Sequence, residues 1–278
     1  MKNLIPFLVF TFLIGADDKA PSQRTRDREV DIHHIKIEVI VDLEEETVSG
    51  NVTHSLSAFN SSLTGFTLDA EDMDIRRVRL NGKDISFDHN GDKVYLTLNK
   101  PIGWEDTVKV RLDYTAHPRR GTFFVKPDSI YPDKPWQAWT QGEDTDNHHW
   151  VPIYDYPNDK ATFETILTVD KKFQAISNGE LLSVKDNKNG THTWHWKENY
   201  PMVAYLISYV VGEFEKVEDS YNGIPVNYWV YDENKHEAMR SFGLTPDMMK
   251  YFGKVTGVEY PYEKYDQIIV DDFMFGGM

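Results

Sequence analysis

His34-Ile35-Lys36-Ile37-Glu38-Val39-Ile40-Val41 places apolar side chains at every second position through Ile35, Ile37, Val39 and Val41. That period of two is the mark of a strand with one face on a core and the other toward water. Outward from this strand the same character repeats. Glu44-Glu45-Glu46 reads as a solvated turn before Val48, Val52 and Leu56. Val94-Tyr95-Leu96-Thr97-Leu98, Val108 to Tyr114, Phe163 to Val169 and Val203 to Val211 supply further strands. Asn81-Gly82, Asn90-Gly91, Asn178-Gly179, Asn189-Gly190 and Asn222-Gly223 lie between apolar runs. Asn-Gly is the strongest two-residue hairpin signal, because both positions tolerate positive φ. The first two hundred or so residues therefore predict an all-β sandwich.

The character changes near Gly212. One more extended piece, Ile224 to Tyr231, leads into a helical pattern over Glu233 to Phe242. A second helix is predicted with Thr245 as cap, Pro246 in the first turn, Met248, Met249, Phe252 and Val255 on one face, and Gly257 at its end. The expected organisation is a signal segment at 1–16, a flexible segment at 17–28, a β-sandwich domain at 29–212, and the incomplete start of an α+β domain at 213–278. In that reading Met248, Phe252 and Val255 lack partners, so their face is expected to be exposed and the region after Glu213 to be trimmed first by proteases.

Forty-five Asp and Glu against 30 Lys and Arg give a net charge of −15, which opposes phosphate backbones and anionic membrane surfaces, so nucleic acid is excluded as a partner. An acidic surface could draw in cationic ligands such as free amino termini, or serve solubility alone. Lys2, the apolar run Leu4 to Ile14 and Gly15-Ala16-Asp17 have the order of a secretory signal. Export is the expectation, to a periplasmic, cell-surface or extracellular location. That run is too short for a stable bilayer span, and no later segment approaches the length needed. The chain contains no cysteine, so disulfides, thiol nucleophiles and thiolate metal sites are ruled out, and any metal must use His and carboxylates.

Ten histidines invite a search for such a site. His236-Glu237-Ala238-Met239-Arg240 is one residue from the helical His-Glu-x-x-His zinc signature, but Arg240 offers a permanent cation where a lone pair is needed. His148-His149, read as strand residues, would face opposite ways, and His192 and His195 flank Trp194 at odd spacing. No metal ligand is assigned in this chain. At its other end, Phe273-Met274-Phe275-Gly276-Gly277-Met278 follows the apolar run Gln267-Ile268-Ile269-Val270. Paired glycines there suit either an ordinary turn or a place where another backbone lies close, such as a peptide added to a strand edge.

Thr140-Gln141-Gly142-Glu143 and Trp150-Val151-Pro152-Ile153-Tyr154-Asp155-Tyr156-Pro157-Asn158-Asp159-Lys160-Ala161-Thr162-Phe163 form a block dense in Trp, Tyr, Pro and carboxylates. It resembles the aminopeptidase N family of zinc metallopeptidases (peptidase family M1, gluzincins), which carries Gln-x-Glu or Gln-x-Gln, a Pro-Cys-Phe-Asp-x-Pro-like stretch and Lys-Ala-x-Phe. Ile153 stands where that family usually has cysteine. Asn199-Tyr200-Pro201-Met202 through Tyr209-Val210-Val211-Gly212-Glu213-Phe214 resembles the strand closing the family's first domain. Tyr260 to Asp266, running into Phe273–Met278, resembles the approach to its Gly-x-Met-Glu-Asn signature.

The resemblance implies a saddle-like β-sandwich followed by the start of a thermolysin-like domain. It implies that Glu143 holds a substrate's α-ammonium, that Gln141 lines the same pocket, and that Gly276 and Gly277 lie against the peptide backbone. Phe275 would cushion the first side chain, and Met278 is the signature's methionine. The partners implied are peptides with free N-termini, and the cofactor is Zn2+ in the complete protein. The zinc helix, its later glutamate ligand and the catalytic tyrosine are absent from this sequence, so no catalytic residue is assigned and the chain is expected to be inactive alone. The alternative is a non-catalytic secreted β-sandwich used for binding or adhesion. A degenerate family member that binds N-termini without cutting them is a third possibility.

Overall fold

A computed structural model describes residues 25–276. The signal reading of 1–16, most of the 17–28 segment, and Gly277 and Met278 lie outside the described residues.

The strand first read from the sequence is Val30–Asp42, and it lies inside an eight-stranded sheet. The strand order across that sheet is Glu180–Asp186, Thr191–Met202, Ala161–Asp170, Val30–Asp42, Thr47–Ala58, Val108–Ala116, Met73–Leu80 and Lys83–Asp84. Every pairing is antiparallel except the one joining Val30–Asp42 to Ala161–Asp170. Ile35, Ile37, Val39 and Val41 are buried while Ile40 is half exposed, as the alternation requires. A register shift between Ile32 and His34 lets Ile32 and Ile35 both face inward despite their odd spacing.

Two smaller sheets complete the main core. One holds Leu63–Asp69, Lys93–Ile102 and Ser86–His89; the other holds Gln174–Ser177, Tyr209–Gly212, Gln137–Thr140 and Thr122–Val125. Ile37, Val52 and Leu112 of the large sheet share one apolar cluster with Leu68 and Val94 of the first and Ala138 and Tyr209 of the second. The fold is mainly β, with large sheets layered over this core.

A fourth sheet, Glu215–Tyr221, Ile224–Val230 and Tyr265–Ile268, stands on its own cluster of Tyr221, Val226, Tyr228, Val230, Ala238 and Met249. Its last strand pairs in parallel with Ile224–Val230 after a helical crossover, Ala238–Phe242 and Thr245–Thr256. Ile176, Trp196, Phe214 and Trp229 bridge the two regions.

Three local expectations are corrected. Asp232–Glu237 is a 3-10 helix rather than the start of a long α-helix. Thr245 is not the cap: Leu244 holds that position, and the Thr245 hydroxyl instead bonds Phe242 O and Gln267 Oε1. Of the four residues expected on one helix face, Met249 is buried, whereas Met248, Phe252 and Val255 are exposed together with Tyr251. Gly257 ends that helix in the left-handed conformation, φ 71°.

Four of the five Asn-Gly pairs join paired strands. Asn178-Gly179 instead carries the chain from one sheet to another. There Asn178 receives Ser208 N and donates to Leu206 O, and Gly179 sits where a Cβ would lie 2.0 Å from Lys197 O. The run read as one strand from Val203 to Val211 is a 3-10 turn, Ala204–Leu206, followed by a short strand.

Candidate functional site

The strand Gln137–Thr140 pairs with Thr122–Val125 on one side and Tyr209–Gly212 on the other, and it delivers the chain to Gln141 and Glu143. Thr140 fixes its end: its hydroxyl bonds Tyr209 O at 3.2 Å and receives Tyr209 N at 2.9 Å. Gln141 N then donates to Gly121 O, and Asp146 N closes back on Gly142 O at 2.8 Å. Under this loop Asn147 is fully buried. Its amide donates to Ala204 O and Ile207 O, and its carbonyl accepts Trp150 Nε1. Gly142 fits above it because a Cβ there would lie 2.6 Å from both Asn147 Oδ1 and Tyr205 O.

Gln141 is buried, and its Oε1 has no hydrogen-bond partner. Such an atom costs free energy unless something donates to it. Glu143 is exposed, two residues further on.

The C-terminal segment comes to the same strand. Trp139 Nε1 donates to Asp271 O at 3.1 Å, and the Trp139 ring meets Phe273 at 5.4 Å and Phe275 at 6.3 Å between centroids. Phe123, stacked on Trp139, contacts Phe275 at 5.6 Å. Gln137, Tyr231 and Asp271 form a closed triangle: Gln137 Nε2 donates to Tyr231 OH, Tyr231 OH donates to Asp271 Oδ1, and Asp271 N donates to Gln137 Oε1. Burial, reinforced by Asp271, raises the Tyr231 pKa, so this phenol stays a donor. Lys134 pairs with Asp272 outside.

Of the residues singled out from the sequence, Gln141, Glu143 and Phe275 thus lie on or against one strand end. Nothing lies within 4 Å of the Cβ position at Gly276, which leaves its space open. A groove of about 240 Å3, lined in part by Phe123, Trp139, Asp272 and Met274, opens beside this contact. Sequence reasoning missed Trp139, Asn147 and Tyr231. Trp139 was detectable as an aromatic two residues before Gln141, whereas the roles of Asn147 and Tyr231 arise from contacts 57 to 94 residues distant.

Metal-ligand chemistry is distributed differently from the sequence reading. His236 is in the 3-10 helix and Arg240 in the helix after it, and no carboxylate and imidazole set gathers there. The described residues do not fit the family's catalytic zinc at that position. His148 and His149 are not strand residues on opposite faces. They occupy the 3-10 turn Asn147–His149, with rings stacked at 4.5 Å. Glu71 joins them as a third donor.

The Peptidase M1 N-terminal domain model matches residues 31–206. The chain belongs to the peptidase M1 family. Aminopeptidase 2 of Candida albicans is 24% identical over 242 residues, covering 84% of this chain and 25% of that protein. Leukotriene A-4 hydrolase of Xenopus laevis is 26% identical over 273 residues, 93% of this chain and 43% of that protein. Among solved structures, a mutant M1 zinc metallopeptidase of Deinococcus radiodurans bound to a Tyr-Ser-Ala substrate superposes with a TM-score of 0.77 at 22% identity, over 89% of this chain and 58% of that one. The chain thus spans between a quarter and three fifths of the length of these relatives.

Proposed function

We propose that this chain is the amino-terminal part of an exported zinc aminopeptidase that removes residues one at a time from peptide N-termini. The observation that carries the reading is the docking of Phe273 and Phe275 on Trp139, which brings the approach to Gly276 against the strand that leads into the Gln141–Glu143 loop.

In this reading the Glu143 carboxylate accepts hydrogen bonds from the substrate's α-ammonium, a charge-assisted contact of roughly 1.5–3 kcal/mol. An acylated terminus cannot supply it. The Gln141 carbonyl, buried without a donor, takes an N–H of the same group. Gly276, with open space at its Cβ position, leaves room for a peptide backbone to run alongside, Gly277 is assigned the same role from the sequence, and Phe275 packs on the first side chain. Zn2+ in the complete enzyme would polarise the scissile carbonyl and activate water. No step of that chemistry is assigned to the described residues.

Export is proposed from Lys2, the run Leu4 to Ile14 and Gly15-Ala16. Among the described residues no helix is long and apolar enough to cross a membrane.

The test is to express the chain with its downstream reading frame and assay an aminoacyl reporter with and without a chelator. Chelator-sensitive cleavage that weakens in Glu143→Ala supports the reading. Robust cleavage of N-acetylated peptides would contradict it, as would chelator-sensitive cleavage by the 278-residue chain alone.

A further inference from the structure

Glu71 and the His148-His149 turn lie 77 residues apart in sequence and are zippered together by backbone. Asp69 and Ile153 exchange hydrogen bonds at 2.8 and 3.0 Å, and Glu71 N donates to His148 O at 3.0 Å. One ligand atom from each of Glu71, His148 and His149 falls within 4.8 Å of the other two. We propose that these three residues bind a divalent transition-metal ion, Zn2+ being the ion the donor set suits best.

Both imidazoles are oriented by carboxylates behind them. His148 Nδ1 donates to Asp155 Oδ2 at 3.0 Å, and His149 Nδ1 donates to Asp72 Oδ2 at 3.0 Å. With the proton held on Nδ1, each neutral ring keeps its lone pair on Nε2. A carboxylate behind the ring both fixes that tautomer and raises the basicity of the free nitrogen. Asp155 is itself anchored: its side chain is 1% exposed, and Oδ2 also accepts His148 N.

The contact between Glu71 and His148 needs a cation. His148 Nε2 lies 3.5 Å from Glu71 Oε2, and with the ring neutral both atoms are acceptors. Either a proton or a metal ion must sit between them. Burial works against charge on His148, but Asp155, Asp69 and Glu71 outweigh it, so the surroundings of this ring favour a cation.

Two imidazoles and a carboxylate suit Zn2+, Ni2+ or Cu2+ rather than Mg2+ or Ca2+, which take oxygen ligands. At ligand distances of about 2.0–2.2 Å, donors of a tetrahedral site stand roughly 3.4 Å apart. The Glu71–His148 separation already matches, all three donors lie within 4.8 Å of one another, and the half-exposed Glu71 side chain is free to adjust. The fourth position is left for water. Because Asn147 is the first residue of that turn and packs beneath Gly142, a bound ion would also stiffen the base of the Glu143 loop.

The full 278-residue chain, purified without a histidine tag and stripped with chelator, is titrated with Zn2+ by calorimetry near neutral pH, with a parallel melting scan. The expected result is a single Zn2+ per chain and a raised Tm. Glu71→Gln and His148→Gln should each weaken binding by at least about 10-fold, and His236→Gln should leave it intact. Affinity should fall as the pH is lowered, because the ligating nitrogens and carboxylate must be unprotonated to bind metal. Absence of stoichiometric binding overturns the proposal, as does binding retained in both site variants or lost in His236→Gln. Should His148→Gln fail to fold, Glu71→Gln alone decides, since Glu71 lies outside the core.

Discussion

Phe275 stands edge-on to Trp139, with ring centroids 6.3 Å apart and planes at 88°, so residues separated by almost half the chain close on one strand end. The contact is reinforced by Phe273, by the Trp139 bond to Asp271 O and by the Gln137–Tyr231–Asp271 triangle. The C-terminal segment thereby docks on the strand whose following loop carries Glu143.

Trp139→Phe keeps an apolar ring in the buried position but deletes the hydrogen bond to Asp271 O. The expected loss is about 1 kcal/mol in urea unfolding, with faster protease cleavage after Asp271. Unchanged cleavage there would mean that the segment is held without Trp139.

Gly142→Ala puts a methyl group 2.6 Å from Asn147 Oδ1 and Tyr205 O. Asn147 cannot yield without releasing two backbone carbonyls, so the expected cost is on the order of 1–3 kcal/mol, together with weaker capture of peptide amines. A variant as stable as the parent would show that the loop relaxes freely.

His54 is fully buried beneath Pro152 O, with its Nδ1 unpartnered. Burial lowers its pKa from 6.5 to about 4, although the bond to Pro152 O opposes the shift. The unfolded chain therefore binds the proton first. This group's effect on stability is nil above the unfolded pKa, becomes a penalty as pH falls from 6.5 toward 4, and levels off below, at roughly 3 kcal/mol. Urea midpoints across that window should fall with pH, and His54→Gln should flatten part of the slope. An equal slope in both proteins would assign the acid sensitivity elsewhere.

Met248, Tyr251, Phe252 and Val255 are all more than half exposed on the helix Thr245–Thr256. Replacing Phe252 and Val255 with Ser should change stability by no more than about 0.5 kcal/mol while reducing light scattering of the concentrated chain. A loss well beyond that would show the face to be covered in solution. Limited proteolysis should cut first in the region after Glu213, as its smaller core implies.

Much of this fold was legible because period-two alternation and Asn-Gly turns are local signals, so Val30–Asp42 and the hairpins at Asn81-Gly82 and Asn222-Gly223 could be read directly. Asn178-Gly179 looked the same but turns the chain between sheets, which depends on Ser208 and Leu206 thirty residues away. Thr245 resembled a cap, yet Gln267 Oε1 and Phe242 O claim its hydroxyl. In the candidate site Gln141, Glu143 and Phe275 could be named from motif likeness. The platform of Trp139, Asn147 and Tyr231 could not, because it exists only through long-range contacts. His148 and His149 were misplaced because adjacency was read as strand geometry, whereas a 3-10 turn stacks them beside Glu71.

The central claim is an amine-specific grip at Glu143, and calorimetric titration of the chain with a free tripeptide and its N-acetylated counterpart tests it most directly. The account predicts that acetylation weakens binding by roughly 10- to 100-fold and that Glu143→Gln erases most of the difference. Equal affinity for the two peptides would contradict it.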